Sequence, residues 1–533
     1  MDEWNPTLEL SPQEERVLRL CRKQKLWGFF RHYRHVILDE EIRAELRAMF
    51  PSSGPGRPPV APEQLALAML LQVGFGVADH EVPTLTAVDA RWQVVLDCLG
   101  AAETAFSQGT VFNFRERARK HGLMRRLLDK TVQIARETGG FSHKRLRVLI
   151  DSSPLVGAGR VEDTFNLLGR AISELVAVAA TEADRDAAEL ATELKVDVAL
   201  GSSVKAVLDV DWREPRARAA ALGELLAQFE RLQVWLRSQF DVDQLSEPPL
   251  ADSIATVEQI IEQDTEPEPE PDGEAPRDVQ TAQIRKGVAK DRLVSLSDRD
   301  MRHGRKSKSK AFSGYKRHVG ADADIPGIIV DVEAMRANRP EKEAAEPIIR
   351  RLEPAFDIIQ AQFDRGYIGA DIVVELRERG VEVITKPPTF RNSGRFTKSE
   401  FVADFATGTL TCPAEVTVPI PSNRTVLFPR SRCHACAVRE RCITEDNKRG
   451  RQVQLHADEE WYREMSAELA TPEGRAKRRE RTVVEHVLAR VSTIQGNKAR
   501  YRGLGKNQAH LEIVGVVNNC YVLGELFAAR EAA

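Results

Sequence analysis

The chain has 533 residues, of which 42% are hydrophobic and 29% are charged, and its formal net charge is −3. This length exceeds the usual size of one domain several times over, so we expect more than one domain and a substantial buried core. The most apolar stretch, residues 65–78, is too short to span a bilayer, and the first ten residues contain no apolar segment typical of a signal peptide. The sequence therefore predicts neither a membrane protein nor a secreted one.

Charge is distributed unevenly along the chain. Residues 241–276 contain twelve Asp or Glu and no Lys or Arg, whereas residues 299–318 contain eight Lys or Arg. A third run, residues 471–506, contains ten Lys or Arg against three Glu. Basic runs of this kind often contact a polyanion, and a solvated surface without a partner is the alternative. Composition alone does not choose between these two interpretations.

Residues 1–140 are predicted to form an N-terminal helical domain that binds DNA. Helices are expected at 62–71, 91–99 and 110–121, with a turn at 52–56. Thr110 is the expected cap of the third helix, and Gly122 is its expected terminator. This helix resembles the recognition helix of a helix-turn-helix, and an ordinary amphipathic surface helix is the alternative. Its candidate DNA contacts are Arg115, Arg117, Arg119 and Lys120.

The pattern changes to a strand at residue 146. Residues 146–150 lead directly into Asp151, and the Ser-Ser-Pro segment at 152–154 is expected to break the strand. We assign residues 141–160 to this first strand of the core. Residues 161–285 then show helical periodicity and end in a stretch of alternating Glu and Pro, which predicts a helical insertion with an extended acidic linker.

Strands and helices alternate in residues 286–389. A hairpin of strands at 315–321 and 328–332 precedes a helix at 341–352, a strand at 356–363, a helix at 370–379 and a strand at 381–385. This order is typical of an α/β protein with a ribonuclease-H-like mixed sheet. Asp364 follows the strand at 356–363, and such sheets place their sites at strand ends. Asp151 and Asp364 are therefore expected to be neighbours.

Two aspartates at neighbouring strand ends suit Mg²⁺, which prefers carboxylate oxygens. The best third acid is Glu485, which lies beside the apolar face of a predicted late helix, with Arg481 one turn before it. The alternatives are an intrahelical ion pair between Glu485 and Arg481 and, for any single acid, a solvated surface position. Rival ligands on the hairpin are Asp322, Asp324 and Asp331.

Four of the seven cysteines cluster in residues 390–450, a segment expected to have few apolar anchors of its own. A CxxC pair with two further cysteines nearby is typical of a structural Zn²⁺ site in a chain without an export signal. His434 is a possible replacement for one thiolate, and buried free thiols are the alternative. The expected zinc ligands are Cys412, Cys433, Cys436 and Cys442.

Five short segments occur in a characteristic order along the chain. They are Asp-Ser-Ser-Pro from Asp151, Gly-Arg-Lys-Ser-Lys-Ser-Lys from Gly304, Gly-Tyr-Lys-Arg-His from Gly314, Phe-Asp-Arg-Gly-Tyr from Phe363 and Arg-Thr-Val-Val-Glu-His from Arg481. Together they resemble the DDE transposases of bacterial insertion sequences, in the long subgroup with a cysteine-bearing insertion. The similarity extends from about residue 30 to residue 525.

The resemblance implies a catalytic triad of Asp151, Asp364 and Glu485 that holds Mg²⁺ or Mn²⁺, and a phosphate contact by Arg481. The Tyr and Lys that accompany this Arg in the related signature are replaced here by Arg478 and Ser492. Other basic residues are therefore expected to contact DNA. Beyond the N-terminal helix, the expected contacts are Arg305, Lys306, Lys308, Lys310, Lys316, Arg481, Lys498, Arg500 and Arg502.

The function implied by the resemblance is that of a DNA transposase, which binds terminal inverted repeats, cleaves DNA strands and joins the freed 3′-OH to target DNA. The implied partner is double-stranded DNA, the implied assembly is a homodimer on DNA, and the implied location is the bacterial cytoplasm, at the nucleoid. Residues 451–533 are expected to complete the core with the helix of Glu485. The alternatives are a DNA-binding relic without catalysis and a ribonuclease-H-like nuclease.

Overall fold

The computed structural model describes residues 4–50, 60–139, 145–267, 282–386 and 390–531. The turn expected at residues 52–56 and most of the acidic linker, residues 268–281, lie outside these ranges. The fold below is that of the described residues.

The N-terminal region is helical, as predicted. Its helices are α1 (Pro12–Leu20), α2 (Lys25–Ile37), α3 (Glu40–Ala48), α4 (Pro62–Phe75), α5 (Glu81–Val88), α6 (Ala90–Leu96), α7 (Gln108–Lys120) and α8 (Leu123–Gly139). Ser107, rather than Thr110, caps α7, because the Ser107 side chain accepts the backbone N–H of Thr110. Just beyond this helix Gly122 has a φ of +69°, which favours glycine at a helix end.

The first strand, β1 (Arg145–Val156), is followed by a helical insertion. The insertion consists of α9 (Thr164–Glu182), α10 (Ala187–Leu194), α11 (Val204–Leu208), α12 (Pro215–Gln239), α13 (Val242–Ser246), α14 (Leu250–Asp264), β2 (Thr265–Pro267) and β3 (Ala282–Ile284). It has an apolar cluster of its own, in which Leu168, Leu175, Leu225 and Ile260 are buried. Strands β2 and β3 pair antiparallel and close the insertion.

The main sheet has six strands. Its further elements are β4 (Arg302–Arg305), β5 (Ala311–Asp322), β6 (Ile329–Arg336), a 3-10 turn (Glu341–Ala344), α15 (Ala345–Leu352), β7 (Asp357–Phe363), α16 (Asp371–Glu378) and β8 (Glu382–Thr385). Strands β4 and β6 both pair with β5, which pairs antiparallel with β1, and β7 and β8 continue the sheet parallel to β1.

The prediction that Ser-Ser-Pro ends β1 is wrong. The strand continues through Pro154 to Val156, because β5 pairs with it over the whole stretch. Its parallel pairing with β7 ends at Ile150, opposite Phe363. Beyond Ile150 β1 is no longer paired with β7, and an unpaired stretch of this kind tolerates Pro154, which has no N–H group. At Val156 the strand bonds to the chain around Lys498 instead.

The cysteine-bearing segment forms small sheets around its own apolar cluster. Its elements are β9 (Val402–Asp404), β10 (Thr409–Thr411), β11 (Thr417–Pro419), β12 (Thr425–Leu427), α17 (Arg430–His434) and β13 (Gln452–Gln454). Phe401, Leu410, Val426 and Phe428 are buried in this cluster. The expectation of few apolar anchors is therefore wrong, because anchors spread along the segment meet only when the strands pair.

Four helices complete the fold, namely α18 (Glu459–Ala470), α19 (Pro472–Arg479), α20 (Thr482–Gln495) and α21 (Leu504–Glu531). Helix α20 packs on β1 and β5, and α21 packs on α8 and β6. By length and composition alone α21 would be long and apolar enough to cross a membrane, but 61% of its most apolar window is buried against the rest of the chain. We therefore interpret α21 as a core helix that joins the N-terminal helices to the sheet.

Candidate active site

The three acids expected from the sequence line one cavity of about 480 Å³. Asp151 lies on β1 and Asp364 directly follows β7, so the parallel pairing of Ile150 with Phe363 brings the two carboxylates to the same edge of the sheet. Glu485 lies in the first turn of α20, which packs against β1. The cavity thus collects one carboxylate from each of three elements that are far apart in sequence.

Asp151 is held by two donors. The backbone N–H of Ser152 donates to its Oδ1 at 2.8 Å, and Nη2 of Arg481 donates to its Oδ2 at 2.9 Å. Burial raises the pKa of Asp151, the guanidinium of Arg481 opposes this rise, and the negative charges of Asp364 and Glu341 add to it. Asp364 and Glu485 differ from Asp151, since among the described residues no cationic group lies within 4.0 Å of either carboxylate.

Arg481 does not present itself to a phosphate in this structure. It is the N-cap residue of α20, only 6% of its surface is exposed, and its guanidinium is engaged by Asp151. Its Nη1 is buried without a hydrogen-bond partner among the described residues. The expected phosphate contact is therefore replaced here by an ion pair inside the site, because the first turn of α20 points this side chain at β1.

A fourth carboxylate, Glu341, lines the same cavity and was not expected from the sequence. Its Oε1 accepts the hydroxyl of Ser152 at 2.8 Å. A Cβ at Gly366 would lie 2.0 Å from its Oε2, so the carboxylate of Glu341 rests on the chain just after Asp364. The glycine in the Asp-Arg-Gly-Tyr segment was the available signal, since a close approach of this kind leaves no room for a side chain.

A buried polar pair lies behind the acidic wall. The hydroxyl of Tyr367 and Nδ1 of His318 are 2.6 Å apart, and both side chains are fully buried. Burial lowers the pKa of His318 to about 3, so the imidazole is neutral. Burial also raises the pKa of Tyr367, and the charges of Glu341 and Asp151 add to that rise. The pair is therefore a neutral support for the strand that carries Asp151.

Part of the cavity wall is basic. Arg305, Lys306 and Lys316 line it together with Phe312. Arg305 and Lys306 are exposed, as are Lys308 and Lys310 on the same turn between β4 and β5. Burial lowers the pKa of Lys316, whose Nζ donates to the carbonyl of Arg339 at 2.8 Å. The turn at 305–310 thus carries an exposed, closely spaced positive charge beside the carboxylates.

The arginines of α7 are engaged inside the protein. Arg115 pairs with Asp79 at 2.6 Å, and Arg500 pairs with the same carboxylate at 3.1 Å. Arg117 donates to the carbonyl of Met49, and Arg119 pairs with Glu116 on its own helix. The structure therefore uses Arg115, Arg117 and Arg500 to dock the helical region, rather than presenting them to DNA. Besides the turn at 305–310, the exposed members of the expected set are Lys120, Lys498 and Arg502.

The rival acids of the hairpin do not line this cavity. Asp322 is buried against Arg136 at 2.7 Å, and Asp324 pairs with Arg147 at 3.0 Å. Asp331 is buried and pairs with two arginines, Arg125 and Arg351. Each rival is thus compensated by arginine.

The carboxylates suit a hard cation in their chemistry, since carboxylate oxygens are the ligands that Mg²⁺ prefers. In the arrangement of the described residues, however, no group of three or more His, Cys, Asp or Glu side chains is close enough together to hold a metal ion. At Asp151 the charge is instead compensated by Arg481. The donor set therefore fits a divalent ion, while its present geometry is that of an ion pair.

The four clustered cysteines line one small pocket, together with Phe396 and Phe428. The backbone N–H of Arg451 donates to the Sγ of Cys433 at 3.4 Å. Burial raises the pKa of Cys442, and the other three cysteines add to this rise. The absence of a metal-holding group among the described residues applies to these thiols as well. Their convergence is a structural fact, and zinc binding stays a prediction.

Two family models match the chain. The model described as "Transposase DDE domain" matches residues 411–523, and the model described as "Transposase domain (DUF772)" matches residues 19–117. The first span contains Arg481 and Glu485, whereas Asp151 and Asp364 lie outside both spans. No curated protein and no solved structure matches the chain. Both models describe transposases, and the DDE model spans the helix that completes the cavity, so the chain is similar to DDE transposases over these two spans.

Proposed function

We propose that this chain is a transposase that binds the terminal inverted repeats of its own element and cleaves and joins DNA strands at the cavity of Asp151, Asp364 and Glu485. The observation that carries the proposal is the convergence of these acids, from β1, β7 and α20, beside a basic wall. A DNA strand needs both features, since phosphates require cations to bind and the reacting phosphate requires an organised centre for charge.

The sheet supports a ribonuclease-H-like core as part of the proposal. Reading from β6 through β5, β1 and β7 to β8, two antiparallel pairings are followed by two parallel ones. We assign residues 141–160, 286–389 and 451–533 to this core. Residues 1–140 would be the end-binding domain, and residues 161–285 and 390–450 would be insertions.

Asp151, Asp364 and Glu485 are the residues that would hold Mg²⁺ or Mn²⁺. When bound, such an ion supplies Lewis-acid stabilisation of charge on the phosphate and lowers the pKa of water. Asp151 must be ionised in this role, and Arg481 favours its ionised form. Glu485 is exposed on α20 and has no competing cation within ion-pairing distance among the described residues. It is therefore free to turn towards the cavity.

The basic wall would bind the strand. Arg305, Lys306 and Lys316 line the cavity, and Lys308 and Lys310 extend the positive charge along the turn. Contacts from such side chains position the duplex without reading its sequence.

Two ends must be brought together before joining, so we also propose a homodimer on DNA, acting at the nucleoid. A structural Zn²⁺ on Cys412, Cys433, Cys436 and Cys442 is proposed to order the cysteine-bearing insertion.

The test uses purified full-length protein and duplexes that carry the terminal repeats flanking its gene. With Mg²⁺ or Mn²⁺ we expect cleavage that leaves a 3′-OH, followed by covalent joining of that end to a target plasmid. Binding without cleavage would identify the inactive DNA-binding alternative. Cleavage of unrelated DNA at the same rate, without joining, would identify the nuclease. The matched control is Asp371→Asn, an exposed acid of α16 outside the cavity, which should keep both activities.

A further inference from the structure

Arg317 on β5 is a buried arginine without a carboxylate partner. Only 1% of its surface is exposed, and among the described residues no Asp or Glu forms an ion pair with it. Burial alone lowers the pKa of Arg317 to about 10. The other deeply buried arginines differ, since Arg31 pairs with Glu14 and Arg136 with Asp322. Burying a charge that is held only by neutral groups costs desolvation free energy, which suggests that Arg317 has a function.

The guanidinium joins two elements of the candidate active site. Its Nε donates to the Oγ of Ser153 on β1 at 2.7 Å, and its Nη2 donates to the Oγ of Ser492 on α20 at 2.6 Å. Its Nη1 donates to the Oε1 of Gln495 and to the carbonyl of Gly496, both at 2.8 Å. The last contacts lie at the C-terminal end of α20, where the helix dipole favours a cation.

Each of the two serines lies on the same side of its element as one of the acids. Ser153 is two residues after Asp151 on the same strand, so both side chains leave β1 on the same face. Ser492 is two helical turns after Glu485, so both lie on one side of α20. Ser153 and Ser492 line the same cavity as the acids. Arg317 therefore lies directly behind the part of the cavity that adjoins the carboxylates.

The hydroxyls of Ser153 and Ser492 differ in whether they donate a hydrogen bond within the protein. Ser492 donates its own to the carbonyl of Leu488 at 2.8 Å. Ser153 accepts from Arg317, and no acceptor for its O–H is found among the described residues. That hydroxyl is therefore available to a ligand in the cavity, and the adjoining guanidinium makes it a stronger donor.

The cavity beside Ser153 offers a hydroxyl donor and several cations, which suit an anion with several oxygens. Lys316, next to Arg317 on β5, lines the cavity, as do Arg305 and Lys306. We propose that Ser153, polarised by Arg317, is a binding subsite for one phosphate of the DNA strand, adjacent to the phosphate that reacts at the carboxylates. This inference rests on the proposed function and assigns Ser153 as the contact and Arg317 as its positioning residue.

The test neutralises single phosphates. Terminal-repeat duplexes with one methylphosphonate at each successive position near the cleavage site are bound without added Mg²⁺ or Mn²⁺ and without chelator, so that no cleavage occurs and any Zn²⁺ on the cysteines is kept. For the unaltered protein we expect a loss of affinity of about tenfold at one of these positions, the value of one charge-assisted contact. Ser153→Ala should lose about the same factor on unmodified DNA and show no additional loss at that position.

Arg317→Met should abolish the sensitivity at the same phosphate, whereas a purely structural clamp would weaken binding equally at every position. If Arg317→Met does not fold, Ser153→Ala decides alone. Ser313→Ala, which removes a β5 hydroxyl bonded to His303 outside the cavity, is the control and should behave like the unaltered protein. An unchanged profile in Ser153→Ala would overturn the subsite while leaving the proposed function intact. Absence of any binding to the repeats would overturn both.

Discussion

Nη2 of Arg481 lies 2.9 Å from Oδ2 of Asp151, and this ion pair joins the N-terminus of α20 to the centre of β1. The contact compensates the charge of Asp151, one of the acids that line the cavity. It also fixes the start of the helix that carries Glu485. One arginine therefore links the protonation state of Asp151 to the position of the third acid.

Arg481→Gln is expected to shift the pH dependence of cleavage. Burial raises the pKa of Asp151 and Arg481 opposes that rise, so the variant raises this pKa further. Activity requires ionised Asp151 and is lost as the pH falls through its pKa. The acid limb of single-turnover cleavage should therefore move to higher pH. Arg478→Gln, an exposed arginine of the preceding helix, should leave the profile unchanged.

The same variant should be less stable at neutral pH, by about 1–3 kcal/mol, because ionised Asp151 is left partly buried without a cationic partner and keeps only the N–H of Ser152. An acid with a raised pKa in the folded state costs stability above that pKa, and the cost disappears as the acid takes up its proton. The deficit should therefore shrink on acidification, and the double variant with Asp151→Asn should recover most of it. Thermal unfolding at several pH values measures the stability deficit and its recovery in the double variant. A deficit independent of pH would show that the ion pair between Arg481 and Asp151 does not cause it.

Asp151→Asn, Asp364→Asn and Glu485→Gln should each abolish strand cleavage while binding to the terminal repeats persists. The reason is that each change removes a carboxylate and leaves the basic wall untouched. Gel-based cleavage and binding assays on the same duplex measure the two effects. Retained cleavage in any one variant would remove that residue from the triad. Asp371→Asn controls for the loss of a negative charge.

Replacing Arg305, Lys306, Lys308 and Lys310 by Ala should flatten the dependence of log affinity on log salt. Each phosphate contact contributes about −0.9 to that slope, so the loss should be about three to four units, with sequence preference unchanged. The control removes four exposed basic residues of the helical insertion, Arg213, Arg216, Arg218 and Arg237. Equal effects of the two variants would mean that net charge, and not the turn, sets the slope.

Arg115→Met should reduce stability and leave the salt dependence of DNA binding unchanged. Its guanidinium is paired with Asp79, so its loss leaves that carboxylate with Arg500 and Gln72 and should cost about 1–3 kcal/mol. Chemical denaturation measures the cost. Lys120→Met, at the exposed end of the same helix, is the comparison and should alter binding rather than stability. If Arg115→Met instead reduced the slope of log affinity for DNA against log salt, α7 would be interpreted as a recognition helix.

Elemental analysis of protein purified without chelator should find about one Zn²⁺ per chain. Cys436→Ser should release it and make residues 390–450 sensitive to protease, while the main sheet stays folded. Cys98→Ser, a cysteine of the N-terminal region, should keep the metal. Absence of zinc in the unaltered protein would make the four cysteines ordinary thiols.

Several features of the site could be predicted from local sequence. The apolar residues before Asp151 and Asp364 predict strands, and the spacing of Val484, Val487, Leu488 and Val491 predicts a helix with Glu485 beside its buried face. Because parallel neighbours end at the same edge, the strand order alone brought the two aspartates together. Such features depend on the periodicity within single elements and on the order of those elements along the chain, and both can be read from the sequence.

Only the tertiary structure decided how the charges are paired. Sequence patterns cannot tell an arginine that faces solvent from one that meets a distant carboxylate, and Arg115, Arg481 and Arg500 all proved to be engaged in this way. Glu341 reaches the cavity, and Arg317 reaches the serines that line it, through contacts between segments more than a hundred residues apart. Ion pairs and buried hydrogen bonds act over a few ångströms, so they are fixed only when packing brings those segments together.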